Sequence, residues 1–313
     1  MAKLIPSYPK VLTLGSVYTE RALTGEVVIQ EKIDGSQFSF GLNEDNELIM
    51  RTHHSQIVFG NVPKMFQSAV DYLLSIENKI KERYSPDTYF YCEYLQKPKH
   101  NTLSYDKIPL NHLVLYDMWE YNQWGSSEML AFAARILDID LVPELYRGEV
   151  NKERLQEFLN TDSYLGKEKI EGVVIKNYDE NILIGGNVYP LFTKFVQKSF
   201  KERNSKEWSK EKDKLKGFIE SFNSEARWQK AINHAKENGG LTNSPKDIGG
   251  LIKAINQDIL EEEKENIKEF LFKHFWGDIS RVSTRGFAEW YKTQLLENVE
   301  ETEKEEVENA KSD

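Results

Sequence analysis

A chain of 313 residues has room for two domains, and its single cysteine, Cys92, excludes an internal disulfide and fits a reducing compartment. The net charge of −10 runs against a phosphate-binding protein, which is more often basic. No apolar run approaches the ~18–20 residues that span a bilayer, and the amino terminus, with Pro6 and Pro9, lacks the apolar core of a signal peptide; a soluble, cytoplasmic, monomeric protein is expected.

In chain order, the first strong signal is a pair of strand-like runs, Glu26 to Glu31 and Gln37 to Leu42, rich in β-branched and aromatic residues. Between them stands Lys32-Ile33-Asp34-Gly35, where the glycine can take backbone angles that other residues resist. Taken alone, this four-residue pattern fits a surface hairpin turn. Residues 48–52 carry Arg51, and His53-His54 reads as a polar loop, since no matching His or Cys cluster exists to make it a metal site.

Apolar residues at helical spacing predict a helix over 62–83. A strand at 90–94 follows with an acid, Glu93, amid apolar and aromatic neighbours. Another at 113–119 contains Tyr116-Asp117. Helices are predicted over 127–137, behind possible serine caps, and over 151–160. Residues 171–176 place Glu171 and Lys176 at either end of an apolar run. Gly185-Gly186-Asn187 reads as a hairpin turn, lacking the lysine and hydroxyl residue of a phosphate-cradling loop. Residues 191–196 put Lys194 in an apolar strand. Each of these strands places a charge where burial is costly without a partner or ligand. Ion pairing explains one or two; five in order point to a shared purpose.

After about residue 205 strand signals stop. Helices are predicted over 215–238, 245–275 and 284–298, with breaks at Gly239-Gly240, Pro245 and Gly277. The expected division is therefore 1–205, a helical domain over 206–298, and an acidic tail over 299–313. The tail region explains much of the net charge, with eight acids against two lysines over 297–313. Residues 194–216 hold nine Lys or Arg against four acids, a basic stretch that could track a phosphate backbone or simply line an exposed helix.

The ordered set of motifs resembles the covalent nucleotidyltransferase superfamily of polynucleotide ligases and mRNA capping enzymes, and within it ATP-dependent RNA ligases of the phage RNA ligase 2 type. Lys32 to Gly35 match motif I, the stretch around Glu93 motif III, Tyr116-Asp117 motif IIIa, Glu171 to Lys176 motif IV, and the Lys194 strand motif V. The similarity covers roughly residues 25 to 205. It implies an α+β fold: ATP-grasp-like antiparallel sheets with flanking helices, followed by a smaller all-α domain.

What the resemblance implies for chemistry is specific. Lys32 would attack the α-phosphorus of ATP, and its deprotonation would rely on desolvation or on a positive field from Lys176, Lys194 and a metal ion. Glu93 would hold the ribose, Tyr116 would stack on adenine, and Glu31 would meet its polar edge. Glu171 would coordinate magnesium, or manganese in its place. Arg51 would contact the acceptor strand or the nucleotide, and Asp34 would support its own loop. Lys198, Lys201 and Arg203 are candidate RNA contacts; the ligase 2 pattern has a second motif V lysine one residue after the first, and here either Lys198 substitutes for it or one phosphate contact is absent. The implied reaction seals a 5′-phosphate to a 3′-hydroxyl RNA end through lysyl-AMP and an adenylylated RNA end. The alternatives are a DNA ligase or capping guanylyltransferase, each of which normally appends an OB-fold barrel, and a catalytically silent RNA-binding protein on the same scaffold.

Overall fold

The alternating runs on either side of residues 33–35 become paired strands in the computed structural model of the protein, which describes residues 4–53, 55–184, 187–197 and 211–295. The strands are β1 (Leu12–Thr13), β2 (Val27–Lys32), β3 (Ser36–Leu42), β4 (Leu48–Thr52), β5 (Tyr89–Tyr94), β6 (Leu113–Glu120), β7 (Gln123–Trp124), β8 (Asp140–Leu141), β9 (Glu144–Gly148), β10 (Gly172–Ile184) and β11 (Asn187–Val196). The helices are α1 (Gln67–Ser75), α2 (Glu77–Arg83), α3 (Ser127–Leu137), α4 (Lys152–Phe158), α5 (Glu211–Glu220), α6 (Glu225–Glu237) and α7 (Ile248–Ser283).

Two sheets result. One runs β1-β11-β10-β2-β9 and the other β4-β3-β5-β6-β7, with β8 added beside β6. Antiparallel pairing dominates, as the expected α+β class requires; β1 with β11 and β6 with β8 are the parallel exceptions among the described strands. Among the described residues every element after β11 is helical, so the strand set of an appended barrel does not occur there.

Strand register decides which side chains meet, because successive residues point to opposite faces. In the first sheet Lys32 pairs with Gly172, and Gly172 with Val196; Lys194 pairs with Val174, and Lys176 with Val28 and Phe192. Lys32, Lys176 and Lys194 therefore project from one face. The opposite face carries Val27, Ile29, Val173 and Ile175, packed with Leu155 of α4 and Ile170. In the second sheet Phe38, Phe40, Phe90, Cys92 and Tyr94 turn toward α1 and α3, forming the largest core with Val70, Leu73, Leu130 and Leu137.

A β-bulge in β6 sets the site. Tyr91 pairs with Asp117 and the next residue, Cys92, pairs with Leu115, so Tyr116 is the extra residue. Strict alternation would turn Tyr116 and Asp117 to opposite faces. The bulge lets both face the side opposite the helical core.

The helices depart from expectation in three places. Residues 62–83 form a 3-10 turn (Lys64–Phe66) and two helices, because Ile76 leaves helical angles at φ −111°. Residues 215–238 are split at 221–224, where the Ser224 hydroxyl accepts from Arg227 N and restarts the chain as α6. Gly277 does not end its helix; α7 runs on to Ser283, the cost of about 1 kcal/mol for an interior glycine being too small to stop a long helix. The serine-capped helix at 127–137 forms as expected, Ser126 accepting from Met129 N.

The chain divides into two compact units, Met1–Asp258 and Ile259–Asp313. The first holds both sheets together with α5 and α6. In the second, the described part is the end of α7 and a further helical stretch over 287–295, the turn before it using Gly286 at φ +82°. Ion pairs one turn apart, Lys268–Glu265 at 2.7 Å and Lys273–Glu269 at 2.9 Å, lie along α7 there. Among the described residues, no helix is long and apolar enough to cross a membrane.

Candidate active site

Lys32 ends β2 with its Nζ 2.8 Å from Glu171 Oε2. The chain then turns through Ile33, Asp34 and Gly35 into β3. Asp34 holds that turn: its Oδ2 accepts from Thr102 N at 2.7 Å and Leu103 N at 2.6 Å, while its own N–H donates to the Tyr105 hydroxyl. A side chain at Gly35 would clash, since a Cβ there would lie 2.7 Å from both Glu93 Cγ and the Tyr94 carbonyl oxygen. Glycine is what lets Glu93 stand next to the turn.

The charges around Lys32 differ from the cationic surroundings expected of it. Burial alone would favour the neutral amine, but Glu171, Glu93 and Asp34 outweigh it and hold Lys32 as a firm ammonium. The acids feel the converse. Burial pushes Glu171 up to about 7, with Lys32 and Lys194 opposing, and pushes Glu93 up to about 8, with Lys32 opposing and Glu171, Glu237 and Asp34 adding to it. Lys194 thus reaches this cluster through Glu171, from the same sheet face as Lys32.

Lys176 lies deeper. Its Nζ donates to Asp117 Oδ2 at 2.8 Å and to the Tyr116 carbonyl at 2.6 Å, inside a cage of the Tyr8, Tyr116 and Phe192 rings. The Tyr8 hydroxyl donates to the same Asp117 oxygen at 2.8 Å. Tyr8 also meets Tyr116 edge-on, with centroids 5.0 Å apart, and contacts Tyr91, Trp124 and Phe192. Its ring therefore bridges the two sheets.

Glu31 and Arg51 are placed elsewhere. Glu31 pairs with Val173 on the sheet face opposite Lys32, and its carboxylate accepts from the Ser163 hydroxyl at 2.5 Å and from Tyr164 N. Arg51 Nη1 donates to the Ile5 carbonyl at 3.1 Å and Nη2 to Ser7 Oγ at 2.8 Å, tying the amino-terminal segment to β4. Lys198, Lys201 and Arg203 lie outside the described residues. The structure thus gathers Lys32, Glu93, Glu171 and Lys194, joins Tyr116 to Lys176 one layer deeper, and engages Glu31 and Arg51 in other contacts.

Sequence reasoning passed over Tyr8, Ser36, His100 and Glu237. Ser36 Oγ donates to Glu237 Oε1 at 2.5 Å and lies 2.8 Å from His100 Nε2. Gln96 N–H donates to His100 Nδ1 at 3.0 Å, so the ring hydrogen sits on Nε2 and points at Ser36. Burial, then Lys97 and Lys236, push His100 down to about 4, keeping the ring neutral. Helix α6 also sets His234 against His53, ring centroids 5.5 Å apart.

No group of three or more His, Cys, Asp or Glu side chains is arranged to hold a metal ion by itself among the described residues. Buried Glu171, beside the half-buried Glu93, nevertheless suits magnesium, which takes one or two carboxylates and completes its shell with phosphate oxygens and water.

A family model described as RNA ligase matches residues 25–227. The chain belongs to the RNA ligase family. No curated protein matches it. Among solved structures, an RNA ligase from Naegleria gruberi with ATP and Mn is similar at 14% identity over 64% of this chain and 58% of that one, with a TM-score of 0.48. An archaeal ATP-dependent RNA ligase is similar at 17% identity over 84% of this chain and 66% of that one, with a TM-score of 0.44. The chain therefore spans less than two-thirds of the length of the Naegleria ligase. Residues 228 onward lie past the end of the RNA ligase match, so Glu237 and His234 belong to a part of the chain that the family model does not describe.

Proposed function

We propose that the protein is an ATP-dependent RNA ligase that joins a 5′-phosphate to a 3′-hydroxyl RNA end through lysyl-AMP. The observation that carries this reading is the convergence of Lys32, Glu171, Glu93 and Lys194 on one side of the paired sheets, in a chain of the RNA ligase family.

Lys32 is the nucleophile. As the resting ammonium it has no lone pair, so it must shed a proton before attack. Glu171, 2.8 Å away, pairs with the resting ammonium; magnesium bound to that carboxylate would end the pairing and lower the proton affinity of the amine, whose proton then passes to water. Lys194, on the same face two register positions along β11, offers a cation to the phosphate oxygens as charge moves onto them. Tyr116, set by the bulge and by the Lys176–Asp117 pair behind it, presents its ring for stacking with adenine. Magnesium, held by Glu171, would neutralise phosphate charge when bound, and Glu93 would hold the ribose. AMP then passes to the RNA 5′-phosphate, and a 3′-hydroxyl displaces it; in each transfer the protein contributes alignment and electrostatics.

Incubation with α-labelled ATP and magnesium tests this. The wild-type protein becomes covalently labelled, Lys32→Ala does not, and the label is chased onto a 5′-phosphorylated RNA. A folded wild-type protein that takes no label overturns the reading.

A further inference from the structure

The carboxyl-terminal end of α7 has the pattern of a buried helix and stands in the open. Leu271, Phe272, Phe275, Trp276, Ile279 and Val282 fall within about 140° of arc at 3.6 residues per turn, an apolar stripe of the kind a helix turns toward a core. All six are exposed, the last five between 44% and 60%. The helical stretch that follows repeats the spacing with Phe287, Trp290, Tyr291 and Leu295, also exposed. From 275 to 293 every residue of the chain is exposed. Six of these ten apolar side chains are aromatic. At about 150–250 Å² for an aromatic side chain, and with roughly half of each open, the ten present on the order of 900 Å². The largest apolar patch of a typical monomer is about 300–600 Å². Each partner in a standard protein interface covers about 800 Å².

The rest of the chain supplies little to cover this surface. Residues 198–210 and 296–313, which lie outside the described parts, hold six apolar residues between them. Charge disfavours RNA and an anionic membrane as the occupant, because residues 259–313 carry fifteen acids against eight bases, net −7. What fits is a protein surface with a matching apolar stripe. Phe272, Phe275, Ile279 and Val282 follow one another at intervals of three, four and three, the seven-residue repeat by which like helices interlock. Over 266–295 five bases stand against three acids, so two copies meet there without a large excess of like charge. We infer that this face of the second unit binds a second copy of the chain, the stripe of one α7 packing against the stripe of the other. The protein is then a dimer, in place of the monomer expected from its sequence. None of the residues assigned to nucleotidyl transfer lies in that unit, so the pairing and the chemistry proposed above stand or fall separately.

Sedimentation equilibrium of the full chain tests this, run alongside adenylylation with labelled ATP. Wild type sediments at twice 36.5 kDa at micromolar chain concentration. Phe272→Glu combined with Ile279→Glu puts carboxylates into the paired stripe and weakens the dimer by at least about a hundredfold. That variant sediments at 36.5 kDa. Arg281→Ala, on the opposite side of the helix, leaves the dimer intact. Phe272 and Ile279 are exposed, so circular dichroism and labelling of Lys32 stay near wild type in the double variant. Should that variant not fold, amide hydrogen exchange of wild type decides: residues 271–282 gain protection as chain concentration rises, and no gain overturns the inference. A wild type that stays at 36.5 kDa overturns it. A dimer that survives the double substitution does the same. So does a monomeric wild type that floats with vesicles of phosphatidylcholine and phosphatidylglycerol, or one whose RNA binding the double substitution abolishes, since either assigns the face to another occupant. A wild type that dimerises but takes no label overturns the proposed function alone.

Discussion

Lys176 and Asp117 form a 2.8 Å ion pair with both side chains withdrawn from water, at 1% and 0% exposure, and the pair joins β10 of one sheet to β6 of the other. Removing one member strands the other as a buried charge. Lys176→Met or Asp117→Ala alone should therefore cost about 3–5 kcal/mol of stability, while Lys176→Met with Asp117→Leu should recover much of that loss. Urea unfolding of the four proteins gives the coupling directly. Single variants within about 1 kcal/mol of wild type would show that this pair does not hold the sheets.

The acids around Lys32 predict a pH dependence of known sign. Glu171 and Glu237 are raised to about 7 and Glu93 to about 8, all above the ordinary 4.5. Folded protein keeps protons on these groups that the unfolded chain has released, so stability falls as pH rises toward about 8. Lys32, raised, loses its stabilising contribution only above its ordinary value of 10.5. His100, lowered to about 4 from 6.5, works in the opposite direction but only below about 6.5. Melting temperature should thus fall between about pH 6.5 and 8, and fall less in Glu237→Gln. Adenylylation should rise over the same interval as Glu171 and Glu93 ionise, and Glu171→Gln should remove part of that rise. A melting temperature that climbs through this range would contradict the charge arrangement described.

Gly35→Ala should be costly although it adds a single methyl group. The new carbon would sit 2.7 Å from a backbone oxygen and from Glu93 Cγ, and 2.9 Å from Leu95 Cδ1. Overpacking of this kind costs about 1–3 kcal/mol, and relief requires moving Glu93 away from Lys32. Denaturant unfolding should show the loss, and labelling by ATP should drop at least tenfold even where the variant remains folded. Near-normal labelling would mean that the approach of Glu93 to the turn has no bearing on the chemistry.

Much of the site was legible in the sequence because its residues sit in strands with distinctive flanks. Lys32, Glu93, Glu171 and Lys194 were named from those strands, and pairing then brought them together. What escaped has identifiable causes. Alternation gives no warning of the bulge that turns Asp117 to the same side as Tyr116. Glu31 precedes the lysine by one residue, and that single step puts it on the other face, against Ser163. Ser36 and Glu237 are separated by 201 residues, and nothing near Glu237 in the chain distinguishes it from the other acids of a charged helix. Tyr8 precedes the first predicted strand, where an aromatic residue alone carries no positional signal. Helix ends failed where a capping serine at 224 outweighed a continuous apolar pattern and where Gly277 was too weak an interruption.

Cys92 lies in the largest core at 0% exposure, its thiol pushed well up by burial and by Glu93. Alkylating reagents act on exposed thiolates, so the native protein should be silent toward them, and its modification should report only the opening of the second sheet. The same silence makes the chain a clean background for spectroscopic probes: a cysteine introduced on the outer surface of α6 would be the one site to react, and the helix could be followed while nucleotide is added.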